Sequence, residues 1–307
     1  MSEKHHYLPI FYQKRWAGKD KRICVYRKPH KEVKALRRHP DAVGFAYDLY
    51  TVPGVDYETA SHLERRFFLQ TDDEAAKALA IIERDGHSNI NTKLRSAWAR
   101  FVMSLIHRTP EEVKKVFEEI PRHVEYAERQ FERDYAKLRY PEDPDTFEEY
   151  IKHRPTNPAG RAAIMLIQEI IDGRTVGNHL IQMNWAIFVP PSSFTFLTCD
   201  RPIIMTNGLA QSDGHIALPI GPRRLFIASN TTDILRHLKA RKPDALVNEV
   251  NDNIVKQARH FVIGIDDAQL RFVANRFGTR KPSTPTETTP MPTPEEFARK
   301  YRVIVRP

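Results

Sequence analysis

Cysteine is nearly absent: the 307-residue chain has two, Cys24 and Cys199. They stand far apart in sequence beside β-forming residues, which suits buried thiols better than a disulfide or a metal pair. No apolar run reaches the roughly 18–20 residues needed to cross a bilayer. Met1 leads straight into charged, histidine-rich sequence instead of the apolar stretch of a signal peptide. A cytoplasmic protein with no membrane partner is expected. Also missing are a GxxxxGK(S/T) phosphate loop, a GxGxxG at a strand-to-helix junction, HExxH, GxSxG and any CxxC pair. The chemistries those patterns carry fall away, and no nucleotide or flavin cofactor signature remains. An enzyme would have to work with scattered residues: His, Asp and Glu around a divalent ion, with Arg and Lys neutralising phosphate.

What is present is a folded composition, 41% hydrophobic and 10% aromatic, with a net charge of +9. All of that excess stands in residues 1–40, which hold twelve Lys or Arg against three acids. If the ligand is nucleic acid, RNA or DNA, phosphate contacts concentrate there. The competing reading is a basic hairpin that merely aids solubility.

Residues 4–16, KHHYLPIFYQKRW, raise the same question in miniature. Adjacent side chains of an extended chain point to opposite sides, so His5 and His6 do not grip one ion together; one acts while the other packs. Tyr7, Phe11, Tyr12 and Trp16 either anchor the segment in a groove of the main domain or, interleaved with Lys14 and Arg15, stack bases.

Further along, RICVYRK reads as a strand, and GFAYDLYTV as an extended piece able to pair with it before a turn at Pro53-Gly54. Asp56 caps a helix carrying Leu63, Phe67 and Phe68, and Thr71 to Glu74 has the form of a capping box that starts a second one. Leu94, Trp98, Phe101, Val102, Leu105 and Ile106 mark a core-facing helix. Thr109-Pro110-Glu111-Glu112 restarts the chain as a charged, solvated helical arm to about Leu138, with Pro121 at a kink. A proline-rich loop over 139–158 precedes an apolar helix over 160–173. The segments WAIFVP, FTFLTC, PIIMT, HIALPI and RLFIAS then come at the short spacing of an antiparallel sheet. Asp244 to Arg259 reads as a helix, and HFVIGI and LRFVANR as extended pieces. The expected fold is α+β, a helical N-terminal and middle region packed with a mostly antiparallel C-terminal sheet. One globular domain is expected over 1–278, a Pro/Thr-rich linker over 279–294, and a tail or edge element over 295–307.

Among residues able to carry chemistry, Asp200 stands just past an apolar strand, where a sheet fixes a carboxylate and a loop admits solvent; the alternative is a turn cap at Pro202. Glu64 sits among apolar residues of its helix. Arg108 ends the Trp98 helix, where the dipole favours a cation without further function.

The series HHYLPIFYQKRW, LIHRTP, FLTCDRPI, ALPIGPRR and VNEVNDNIVKQARHFVIG resembles domain of unknown function 4238 over roughly residues 4–275. On that pattern His5, His6, Tyr7, Pro9, Phe11, Tyr12 and Arg15 take the opening positions. Arg108 and Pro110 match its Arg-Thr-Pro element, Asp200 and Pro202 its strand-end acid and proline, and Asn251 its late asparagine. The glutamine common before the Arg-Thr-Pro element is missing from FVMSLIH. The family's place among microbial proteins is compatible with a nuclease-like or defence role.

The expectation is therefore a metal-assisted phosphodiesterase acting on nucleic acid. His5, His6, Arg108 and Asp200 would be catalytic, with His6, Glu64 and Asp200 holding Mg or Mn. Tyr12, Lys14, Arg15, Trp16, Arg37 and Arg38 would contact the nucleic acid. The alternative is a non-catalytic nucleic-acid or anion binder using the same basic face.

Overall fold

The computed structural model describes residues 2–52, 54, 61–85, 90–153, 156–206, 208–280 and 292–304. The basic N-terminal region supplies β1 (Lys4–His6), β2 (Ile23–Arg27), β3 (Lys34–Arg38) and β4 (Phe45–Tyr47). β4 pairs with β1, Lys4 opposite Tyr47 and His6 opposite Phe45, so GFAYDLYTV is not the partner of RICVYRK. Gly44 decides this. Its φ of +70° turns the chain, its carbonyl accepts the N–H groups of Tyr7 and Leu8, and a Cβ there would lie 2.8 Å from that of Leu8.

The later strands are β5 (Asn184–Phe188), β6 (Thr198–Cys199), β7 (Ile204–Thr206), β8 (His215–Gly221), β9 (Arg224–Ser229) and β10 (Val262–Gly264). They form the antiparallel sheet β5-β9-β8-β7 and complete a second, β3-β2-β10-β6. In the second sheet Val262 opposes Tyr26 on one side and Cys199 on the other, so strands more than 200 residues apart share one ladder.

A π-helical stretch, Leu63–Phe68, runs directly into α1 (Leu69–Asp85). Two separate helices were expected here. Thr71 does not cap a second one: its hydroxyl donates back to the Phe67 carbonyl at 2.8 Å, the habit of a Thr inside a helix. The expected cap at Asp56 lies outside the described residues. Then come α2 (Thr92–His107), α3 (Pro110–Leu138), α4 (Phe147–His153), α5 (Pro158–Ile171) and α6 (Arg174–Gln182). α3 is one helix through Pro121, and Thr109 makes no side-chain cap bond at its start. Nor is it a free arm, because Val113, Val116, Ile120, Val124 and Phe131 are buried on one face. The later helices are α7 (Thr232–Ala240), α8 (Pro243–Gln257), α9 (Leu270–Ala274) and α10 (Pro294–Ile304). α9 replaces the strand expected at LRFVANR, since a short apolar run fits either period. Thr293 and Glu296 close a reciprocal capping box at the start of α10.

The opening aromatics answer the question the sequence posed. Tyr12 and Trp16 are wholly buried in the main core beside Trp98 and Phe101. The Tyr12 hydroxyl donates to the Pro219 carbonyl at 2.7 Å and lies 2.7 Å from the Thr198 hydroxyl, while the Trp16 indole N–H donates to the Phe196 carbonyl at 2.8 Å. With no ring face open, neither stacks on a base; they staple the first turn of chain to the sheets.

Candidate functional site

The short link between α2 and α3, Arg108 to Glu111, sends side chains into two groups of ionisable residues. Arg108 turns into the first. Its guanidinium is fully buried, pairs through Nη1 with Asp72 Oδ1 at 2.9 Å, and lies 5.6 and 5.7 Å from the ring centres of Phe68 and Phe101. Among the described residues its Nε and Nη2 have no acceptor. The Tyr50 hydroxyl donates to the Arg108 carbonyl at 3.2 Å, and His5 stacks on Tyr50 at 5.3 Å. His5 Nδ1 accepts the Tyr50 N–H at 3.1 Å, which places the ring proton on Nε2, and burial holds its pKa below the usual value. Glu64 stands on the π-helical stretch, close to the backbone of His6. Burial, only partly opposed by Arg108, pushes its carboxyl up to about 7. The His6 ring points elsewhere, to the Asp41 carbonyl and Phe45.

This group sets a pH dependence. A carboxyl whose folded pKa is raised contributes stability below about pH 4.5 that is lost as pH rises through about 7. Glu64→Gln keeps the size and shape of the side chain and removes that loss. The variant should gain up to about 3 kcal/mol on the wild type by pH 8, read by urea unfolding across the range. Parallel stability curves for the two proteins would refute the assignment.

The second group is built on Asp200 and is partly open to solvent. α8 fixes its approach: the Asn251 side chain accepts the Leu197 N–H at 2.8 Å and donates to the Thr195 carbonyl, and Gln257 donates to the Arg201 and Ile203 carbonyls. Asp200, 2% exposed, accepts the N–H groups of Arg259 at 3.1 Å and Phe261 at 3.3 Å. It therefore holds the turn after α8 and presents the intervening His260 outward. The carboxyl expected to meet solvent at a strand end is instead enclosed by backbone, and burial raises its pKa.

His260 Nε2 lies 2.6 Å from Glu111 Oε1, and the imidazole is about half exposed. Glu111 is in the first turn of α3. Burial pushes its carboxyl up, but the His260 hydrogen bond, the His260 charge and Arg201 outweigh that and hold it at about 2. The same bond raises the pKa of His260. Arg201 Nη2 lies 3.4 Å from the other Glu111 oxygen, and Arg259 Nη1 4.0 Å from Oε1. Glu112 Oε1 lies 4.0 Å from the same Arg201 nitrogen, so two carboxylates, an imidazole and two guanidiniums share one small patch. Arg27, the exposed last residue of β2, lies over the Phe261 ring at 5.9 Å, so the basic hairpin β2–β3 borders it.

The expected metal set does not assemble. His6 meets Glu64 through its backbone, Asp200 belongs to the other group, and among the described residues no three His, Cys, Asp or Glu side chains gather to hold an ion. Arg108 is enclosed, and His5 Nδ1 is taken up by the Tyr50 N–H. Of the expected nucleic-acid contacts, Arg15 is paired with Glu83, Arg37 with Asp20 and the Ile265 carbonyl, and Lys14 and Arg38 are exposed.

A family model described as a protein of unknown function, DUF4238, matches residues 4–268. The chain belongs to that family. No curated protein and no solved structure matches it. The DUF4238 match takes in Tyr7, Glu111, Asp200 and His260 and ends before α10. Sequence reasoning passed over His260, Glu111, Arg201 and Arg259, although each stands within or beside a stretch that carried the family resemblance. The available signal was the run of charge at the ends of three apolar segments, HRTPEE, TCDRP and QARHF.

Proposed function

We propose that the chain is a phosphodiesterase acting on nucleic acid, with the His260–Glu111 pair as its acid–base group. The observation that carries this reading is the 2.6 Å contact between a half-exposed imidazole and a carboxylate ringed by Arg201 and Arg259. A carboxylate on one ring nitrogen fixes the tautomer and leaves the other nitrogen free to exchange a proton. Guanidiniums beside it suit the charge that develops on a reacting phosphoryl group. The basic hairpin next to Phe261 would bring the polyanion in. Tyr7 packs against Phe261 at 6.4 Å and lines the inner side. Nothing in this scheme runs through Mg or Mn. Two buried free thiols, Cys24 and Cys199, favour a cytoplasmic setting.

The test is fragment release from end-labelled single- and double-stranded RNA and DNA, in EDTA and with Mg²⁺ or Mn²⁺. The wild type should cleave, and His260→Asn should be slower by about 100-fold or more. His260 is half exposed, so the variant should keep the wild-type fold, read by circular dichroism, while giving up part of the stability that its contact with Glu111 supplies. Cleavage undiminished in the variant, or none by the wild type, overturns the reading.

The non-catalytic alternative has its own observation: β3 is an edge strand whose Lys34 and Arg38 are exposed, with Lys14 exposed nearby in sequence to β2. A pure binder would retain nucleic acid without turnover and lose affinity steeply with salt.

A further inference from the structure

We infer that the substrate of the His260–Glu111 site is RNA, cut by attack of its own 2′-hydroxyl on the adjacent phosphorus. The inference rests on the phosphodiesterase reading above. Its basis is what the patch offers a nucleophile. Hydrolysis by water needs a water held in line and deprotonated, the task an ion or a second base performs elsewhere. Here one imidazole faces outward, and the carboxylate that touches it is already committed to Nε2, Arg201 and Arg259. Asp200 has both oxygens on backbone N–H groups. The patch can accept one proton and shield one charge. A ribose 2′-hydroxyl asks for no more, because the substrate itself places it beside phosphorus; such intramolecular placement is worth about 7–11 kcal/mol of barrier. DNA lacks that group.

The residues then divide the work. Glu111 accepts the Nε2–H of His260, which puts the ring's lone pair on Nδ1, the nitrogen left to serve the substrate. Nδ1 takes the proton of the 2′-hydroxyl as the O2′–P bond forms and the P–O5′ bond breaks. The departing 5′-oxygen takes a proton from water, and the hydroxide so formed takes the proton from the imidazolium. The products are a 2′,3′-cyclic phosphate and a 5′-hydroxyl, with no net consumption of water. Arg201 and Arg259 offset the charge that builds on the phosphoryl oxygens. Glu111 is a positioning residue. Its loss should lower the pKa of His260 and move the acidic limb of the pH–rate profile to lower pH, an effect that a merely structural role would not produce.

The experiment compares three oligonucleotides of one sequence in EDTA: all-RNA, RNA with a single 2′-deoxynucleotide at the mapped cleavage position, and DNA. The full-length protein is used beside His260→Asn and Glu111→Gln. Expected are cleavage of the all-RNA strand with 2′,3′-cyclic phosphate ends, loss of about 100-fold or more at the deoxy position, intact DNA, and the shifted pH limb in Glu111→Gln. Cleavage of DNA at a comparable rate, or fragments with 5′-phosphate and 3′-hydroxyl ends, would overturn the RNA inference and leave the phosphodiesterase reading standing. If no oligonucleotide is cut under any condition, both fail.

Discussion

Trp16→Ala should lower the free energy of unfolding by about 3–5 kcal/mol, the usual cost of emptying a buried Trp site. Trp16 has no exposed surface, and its ring lies 5.3 Å from that of Tyr12, which is buried beside Phe101 at 6.2 Å. The indole N–H also satisfies the Phe196 carbonyl at 2.8 Å, just before β6. Removing the donor from a buried carbonyl adds about 1–3 kcal/mol where no water can enter. Trp16→Phe keeps most of the volume and loses the hydrogen bond, so it should fall between the wild type and Trp16→Ala. Denaturant unfolding of the three proteins checks the order. A Trp16→Ala protein as stable as wild type would mean that the ring does not staple the N-terminal segment to the core.

The second large effect belongs to Arg108. Replacing it with Met removes the partner of Asp72 and leaves a carboxylate in surroundings that already raise its pKa through burial. Breaking a buried pair from one side costs about 3–5 kcal/mol. Asp72 keeps 21% of its side-chain surface, so solvent screens part of the loss and the low end, about 3 kcal/mol, is expected. The double variant Arg108→Met with Asp72→Met should recover most of that, because Phe68 and Phe101 already supply an apolar bed for the new side chain. A double variant no more stable than the single one would show that the guanidinium is held by something other than its carboxylate.

Periodicity carried much of the fold into view. The apolar stripe of Trp98, Phe101, Val102 and Leu105 marks α2, and the alternation of RLFIAS marks β9. Where reading failed, a neighbour distant in sequence or a single local bond decided. Phe45–Tyr47 alternates as well as any strand, yet its partner follows from the turn at Gly44. Thr71 satisfies the pattern of a cap and the geometry of a helix interior, and only the Phe67 carbonyl distinguishes them. Of the candidate site, the sequence singled out one residue. Asp200 drew notice for its place at a strand end; in the structure it grips the backbone of residues 259–261. Its partners were hidden because His260 and Glu111 are 149 positions apart, and no local rule links a helix start to a turn after another helix. The histidines of the opening motif drew attention because they are adjacent, but pairing with β4 spends them on Tyr50, Asp41 and Phe45.

The shared ladder of β2 and β10 also fixes an order of events during synthesis. Strand Ile23–Arg27 leaves the ribosome early, but its partner Val262–Gly264 is made some 240 residues later. At about 5–20 residues per second, that is a wait of roughly 12–50 s. Through that interval Tyr26 lacks Val262, its partner across the ladder, and one side of β2 is an open edge. Closing contacts so distant in sequence is slow even for the finished chain. The order in which strands leave the ribosome is thus not the order in which this sheet can close: β2 and β3 come first and β10, which joins them to β6, comes last.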